Sequence, residues 1–333
     1  MKLSYRTRCA LKRAGQVILV LLVVAILAYA LWFTWLNRFV IYSREEGASL
    51  DFSYSITDRT GIVAEKPEET PPVSIFYNDG QLEVESEELT KIKGYYVTSA
   101  QLEENLEDIL AKLQELPKGT AVMIDVKSPK GNIFYSSAVR ENRPVSIDPE
   151  AMDKLIETIN NGSLYTIARM PALKDRAYGV EYPMQTMQMA NGYGWSDNGY
   201  YWINPAKTQV QEYITQLTLE LRDLGFREVV FSDFRFPDTK QIAFNGDKKQ
   251  TLYDVAQTLV KTCTTDRFTV SFEDGGFGIP EGRTRIYAQA IAAEGVVSYV
   301  DKFERENPEV SFVFMTELHD TRYEQYGVLR PLK

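Results

Sequence analysis

The chain has 333 residues, 44% of them hydrophobic, a formal net charge of −9 and two cysteines. That composition supports a sizeable core and excludes both a disordered chain and a disulfide scaffold. The first 44 residues hold seven Lys or Arg and no acid, so the remainder carries 30 basic and 46 acidic residues, a net charge of −16. Such a body repels nucleic acid and anionic lipid surfaces and suits neutral or cationic partners.

Residues 1–16 read as a basic tail with Lys2, Arg6, Arg8, Lys12 and Arg13. An uncharged apolar run follows from Val17 to Trp35, 19 residues long and sufficient to cross a hydrocarbon core as a helix. Tyr29, Trp32, Phe33 and Trp35 crowd its far end, where amphipathic rings favour the interface. We assign 17–39 as a single-pass transmembrane anchor of the cell membrane. The positive flank keeps the N-terminus cytoplasmic and the C-terminal domain extracytoplasmic. A cleavable signal peptide, cut after Ala28-Tyr29-Ala30, is the alternative and exports the same domain. Cys9 and Cys263 then lie on opposite sides of the bilayer and cannot pair.

Residues 40–91 read as an acidic extracytoplasmic linker. Val73–Tyr77 and Gln81–Glu85 flank Asn78-Asp79-Gly80, the pattern of a small hairpin; a disordered spacer is the other reading.

A folded domain is expected over 92–333. Gly94–Val97, Ala121–Val126, Leu164–Arg169, Glu228–Pro237, Phe268–Phe272, Val296–Val300 and Ser311–Met315 read as seven strands. Helical spacing separates them: Leu102, Leu106, Ile109, Leu110 and Leu113; Met152, Leu155, Ile156 and Ile159 behind Asp148-Pro149; Val210, Tyr213, Ile214, Leu217 and Leu221, ended by Gly225; then helices near 250–262 and 284–294. Either Tyr326–Arg330 or Val73–Tyr77 can supply an eighth strand. Near-continuous apolar strands alternating with helices indicate a parallel sheet covered by helices. The fold class is α/β, a (β/α)8 TIM-like barrel with room for irregularity or truncation. An open doubly wound sheet is the alternative, disfavoured because no Gly-rich phosphate loop follows the first strand.

In a barrel the strand tips converge on one mouth. Asp125, Lys127, Arg169, Asp233, Arg235, Glu273 and Glu317 all stand at such tips. Strand alternation places Val229, Phe231, Asp233 and Arg235 on one face. His319 is the sole histidine and reads as a surface residue; with no Gly-x-Ser-x-Gly elbow, no His/Cys ligand set and no nucleotide loop, the sequence indicates no cofactor and no metal site. Paired carboxylates remain, and sugar hydrolysis needs two: one protonated to donate, one ionised to attack or activate water. Asp233, beside Arg235, suits the ionised role, Glu273 the protonated one, and Asp125 supports them. The long loop from Met170 to Pro205 holds Tyr193, Trp195 and Trp202, whose flat faces suit sugar rings or cap the barrel.

Four segments together resemble the DUF4015 glycoside hydrolase-like TIM-barrel family: Lys93–Thr98, Val122–Ile133, Tyr165–Asp175 and Val229–Pro237. Trp202-Ile-Asn-Pro205 resembles the family's Trp-x-Asp-Pro, with Asn204 in place of the acid. The resemblance implies a site with Asp125 and, as substrate-binding residues, Lys127, Arg169, Lys174 and Arg235. Ser232 stands where family members carry Asp, and Asp233 falls at the second acid of related barrels. The expected ligand is a polysaccharide or cell-envelope glycan, either hydrolysed or bound by a catalytically degenerate barrel; a scaffold for an envelope protein is the third reading.

Overall fold

Eight parallel strands close into a barrel in the computed structural model, which describes residues 21–32, 40–43, 47–50, 88–140 and 146–333. The chain divides into two compact units, Met1–Gln81 and Leu82–Lys333. In the first, residues 21–32 are helical and expose Leu22, Ile26, Leu31 and Trp32. Among the described residues no helix is long and apolar enough to cross a membrane. The rest of the expected anchor, and the expected hairpin at 73–85, lie outside the described residues. Val40–Ser43 pairs antiparallel with Gly47–Leu50.

In the second unit the barrel strands are β1 (Lys93–Val97), β2 (Ala121–Asp125), β3 (Tyr165–Pro171), β4 (Glu228–Ser232), β5 (Thr269–Glu273), β6 (Ile286–Gln289), β7 (Phe312–Met315) and β8 (Gly327–Pro331). Each pairs with the next, and β8 closes on β1. The helices are α1 (Ser99–Gln114), α2 (Pro149–Asn160), α3 (Arg176–Glu181), α4 (Thr208–Asp223), α5 (Lys248–Cys263), α6 (Val296–Val300) and α7 (Pro308–Ser311). Thr98 and Gln101 form a capping box that starts α1. Cys263 ends α5 as a buried free thiol, pushed up to about 11 by burial.

Two elements differ from the sequence expectation. The segment expected to be helical near 284–294 contains β6, and the expected strand Val296–Val300 is α6. Within α6, Val296, Tyr299 and Val300 are buried while Val297 and Ser298 are exposed, which is helical i, i+3, i+4 spacing. The β-branched content there pointed the other way and packing overrode it. β5 and β6 are joined by a loop rather than a helix. The eighth strand comes from the C-terminal segment, with Leu329 opposite Gly94. Gly94 is required where β1 meets β2, because a Cβ there would lie 1.8 Å from the Ala121 carbonyl oxygen.

Side-chain parity sorts the strands. Ala121, Met123, Ile167, Val230, Tyr287, Val313 and Leu329 fill the lumen. Val122, Ile124, Ala168, Val229, Phe231, Val270, Phe272, Phe312 and Phe314 belong to the larger core shared with the helices. Val229 and Phe231 therefore face outward, not toward the mouth. The base of the lumen is closed by a buried ion pair, Arg285 Nη1 to Glu228 Oε2 at 2.6 Å, with side chains 1% and 0% exposed. Tyr165 Oη and Ser271 Oγ also donate to Glu228. Arg285 donates in addition to the Thr90 and Val310 carbonyls.

Candidate active site

The strands that carry this base plug carry the candidate site at their other ends. Tyr165 and Arg169 on β3, Glu228 and Ser232 on β4, Ser271 and Glu273 on β5, and Arg285 and Gln289 at β6 are even-spaced residues, so each pair shares the lumen face. The upper members stand at the C-terminal mouth, where barrels of this type keep their chemistry.

There, one guanidinium joins two carboxylates. Arg169 Nη1 donates to Asp125 Oδ1 at 3.1 Å and Arg169 Nε to Glu273 Oε1 at 2.7 Å. The three side chains are 21%, 14% and 20% exposed, within reach of solvent and mostly enclosed. Asp125 Oδ2 accepts from the Ser99 backbone N–H at 2.9 Å, which fixes it to the start of α1. Gln289 Nε2 adds a second donor to Glu273 Oε1 at 2.8 Å, and no described residue donates to Oε2. Burial raises the Glu273 carboxyl above its ordinary range; Arg169 opposes this, and the charges of Asp233 and Asp125 add to it. Burial pulls the Arg169 guanidinium down, but Glu273 and Asp125 outweigh it and keep it charged. Burial, and then the charge of Glu317, raise the Tyr96 phenol against the pull of Arg169.

Asp233 does not continue β4. The strand ends at Ser232, whose carbonyl accepts from Ala172 N, and Asp233 adopts a left-handed backbone with φ 51°. This turn replaces the alternation expected from sequence. Asp233 still lies close enough for its charge to act on Glu273. The expected Asp233–Arg235 pairing does not form: Arg235 is exposed and stacks over Trp202, its Cζ 5.3 Å from the ring centroid. Among the described residues no cation or donor pairs with the Asp233 carboxylate. Asp274 turns aside to accept from Tyr299 Oη at 3.0 Å.

The other candidate ligand-contacting residues separate. Lys127 is buried in an ion pair with Asp175 at 2.8 Å and donates to the Pro171 carbonyl, which removes it from any ligand-accessible surface. Asp175 caps α3 through Tyr178 N and accepts from Tyr213 Oη. The long loop is pinned by backbone bridges Lys174–Trp202 and Thr186–Ile203. Trp202 is 1% exposed, Trp195 is buried with its Nε1 bonded to Gln241 Oε1, and Tyr193 is 71% exposed. Lys174 packs over Tyr200 and Trp202. A cavity of about 790 Å³ among Glu281, Arg283 and Asn307 opens at the N-terminal end. Another of about 510 Å³ lies outside β1 and β8, beside Tyr95 and Arg330. The first is lined by none of the mouth acids; the second takes in Glu317 but not Asp125, Asp233 or Glu273. His319 is exposed, and its Nδ1 accepts from Arg330 Nε. Among the described residues no group of three or more His, Cys, Asp or Glu could hold a metal ion.

Gln289 was not legible as a site residue, because its segment reads as helix. The one available signal was a short apolar run, Ile286-Tyr287-Ala288, ending in a polar residue, as the other strand tips do.

The family model DUF4015, described as "Putative glycosyl hydrolase domain", matches residues 94–270. A search of curated proteins finds no match. Among solved structures, a hypothetical protein from Ruminiclostridium thermocellum ATCC 27405 is 22% identical over 53% of this chain and 96% of that one, with a TM-score of 0.45. The glycoside hydrolase domain of PelA from Pseudomonas aeruginosa is 10% identical over 73% and 94%, TM-score 0.45. The alpha-galactosidase from Lactobacillus brevis is 8% identical over 75% and 38%, TM-score 0.48.

Proposed function

The chain belongs to the DUF4015 family, and from that premise we propose a membrane-anchored, extracytoplasmic glycoside hydrolase-like protein that acts on an envelope or extracellular polysaccharide through paired carboxylates. The observation that carries this reading is the meeting of Asp125, Arg169 and Glu273 at the barrel mouth, with Asp233 beside them. Glu273 is the proton donor: burial favours its neutral form, and Oε2 is free to hand a proton to the glycosidic oxygen as the bond to the anomeric carbon breaks. Asp233 supplies the second carboxyl group, which attacks that carbon or takes a proton from the water that does. Asp125 fixes Arg169, which orients Glu273. The basic tail and the apolar run at 17–35 support the anchor and its orientation.

A second reading is favoured by the clamp itself. One guanidinium holds both Asp125 and Glu273, and Ser232 occupies the lumen-facing end of β4, an arrangement suited to binding a glycan without cleaving it. Reducing-sugar release from cell-wall and capsular glycans separates the two. Hydrolysis predicts release by the wild type and loss in Glu273→Gln and Asp233→Asn. Retention on the glycan with no release from any form selects binding alone.

A further inference from the structure

The rim between β3 and β4 carries two cations that the carboxylate chemistry does not use. Lys174 and Arg235 each stand three residues beyond the Pro171–Ser232 register pair. Both are drawn onto one indole. Lys174 Nζ is 5.6 Å and Arg235 Cζ 5.3 Å from the Trp202 ring centroid, and Lys174 Nζ is also 5.0 Å from that of Tyr200. Trp202 is buried, and the Lys174–Trp202 bridge and the Ile203 N to Leu173 O hydrogen bond at 2.8 Å tie it to the β3 extension. The cations therefore sit on a platform fixed by the core.

Charge on this platform is unbalanced. Among the described residues Arg235 has neither an acid partner nor a side-chain hydrogen bond. Lys174 has only Asp197, at 4.0 Å and 47% exposed. A third cation, Lys248, lies 5.6 Å from the ring of Phe236, the neighbour of Arg235. A guanidinium held over an aromatic ring without an acid or hydrogen-bond partner keeps its N–H groups available, which suits bidentate binding of a carboxylate, sulfate or phosphate. Cations gathered on one ring repel one another, and a bound anion relieves that repulsion.

We infer that Lys174 and Arg235 form an anion-binding subsite beside the carboxylate mouth. Its ligand is a glycan bearing an acidic substituent (a uronate carboxylate, a sulfate or a phosphate ester). That the ligand is a glycan rests on the function proposed above; the anion preference rests on the rim alone. A dense polyanion does not fit, because a body of net charge −16 repels it over distances where one locally held acid is unaffected.

The test uses the full chain against four classes of oligosaccharide: uronate-bearing, sulfated or phosphorylated, neutral, and amino-sugar. Kd is measured for the best binder of each class. One anionic class is expected to bind at least about tenfold tighter than the neutral class, the equivalent of one charge-assisted hydrogen bond. Arg235→Gln and Lys174→Gln should each remove most of that advantage. Glu273→Gln should abolish sugar release and leave the preference in place, so failure of the catalytic reading and failure of this one are read separately. The proposal is overturned if neither anionic class outbinds the neutral and amino-sugar classes, absence of binding included. It is overturned equally if the preference survives in both rim variants.

Discussion

Replacing Glu228 by Gln keeps the shape of the side chain and removes its charge, leaving Arg285 as a cation at 1% exposure. Glu228 accepts from Arg285 Nη1 at 2.6 Å, from Tyr165 Oη at 2.9 Å and from Ser271 Oγ at 2.5 Å. Removing one partner of a buried pair costs about 3–5 kcal/mol, against a total stability of about 5–15 kcal/mol. Gln still offers a neutral acceptor to Tyr165 and Ser271, so the loss falls at the low end, about 3 kcal/mol. The double replacement Glu228→Leu with Arg285→Met removes both charges and their desolvation penalty. That gain is offset by the Thr90 and Val310 carbonyls and the Tyr165 and Ser271 hydroxyls, which lose their partners at about 1 kcal/mol each, so the double variant should lie close to Glu228→Gln in stability. Urea unfolding followed by tryptophan fluorescence measures these changes, with unchanged m-values as the check that the states are comparable. A Glu228→Gln protein within about 1 kcal/mol of wild type would refute the view that this charge pair holds the base of the barrel.

The raised Glu273 carboxyl makes two pH predictions. Its proton is bound more tightly in the folded state than in the unfolded one, so its contribution to stability is full at acid pH and is lost as pH rises through the folded pKa. Sugar release should fall over the same range. Glu273→Gln should remove that limb and lower the rate by about 10²–10⁴-fold, and an unchanged pH profile would exclude Glu273 as the donor. Gly94→Ala places a methyl 1.8 Å from the Ala121 carbonyl oxygen, so β1 must move away from β2. Overpacking costs about 1–3 kcal/mol, and a backbone obstacle that cannot rotate aside puts this case at or above the upper end. A thermal midpoint equal to that of wild type would show that the seam is looser than described.

Local pattern carried much of the architecture. Strands such as Ala121–Asp125 and Tyr165–Pro171, buried on both faces, and helices with four or five apolar residues at helical spacing identify themselves within a single window of sequence. Strand parity likewise put Asp125, Arg169 and Glu273 at tips of one sense, and the barrel brings them together. Short segments were not determined in this way. Ile286–Gln289 and Val296–Val300 are too brief for periodicity to outweigh propensity, and only the space between β5 and β7 decided which became the strand. Contacts across long stretches of chain were equally invisible. Arg169 and Glu273 are 104 residues apart, Lys127 and Asp175 are 48, and nothing in either neighbourhood says that the first pair stays at the mouth while the second is buried. The left-handed turn at Asp233 removed that carboxylate from Arg235 although the two are adjacent on an ideal strand face. Sequence fixes what each segment prefers by itself. Closure of the barrel decides which side chains meet, because burial and pairing free energies exist only once distant segments share one enclosed space.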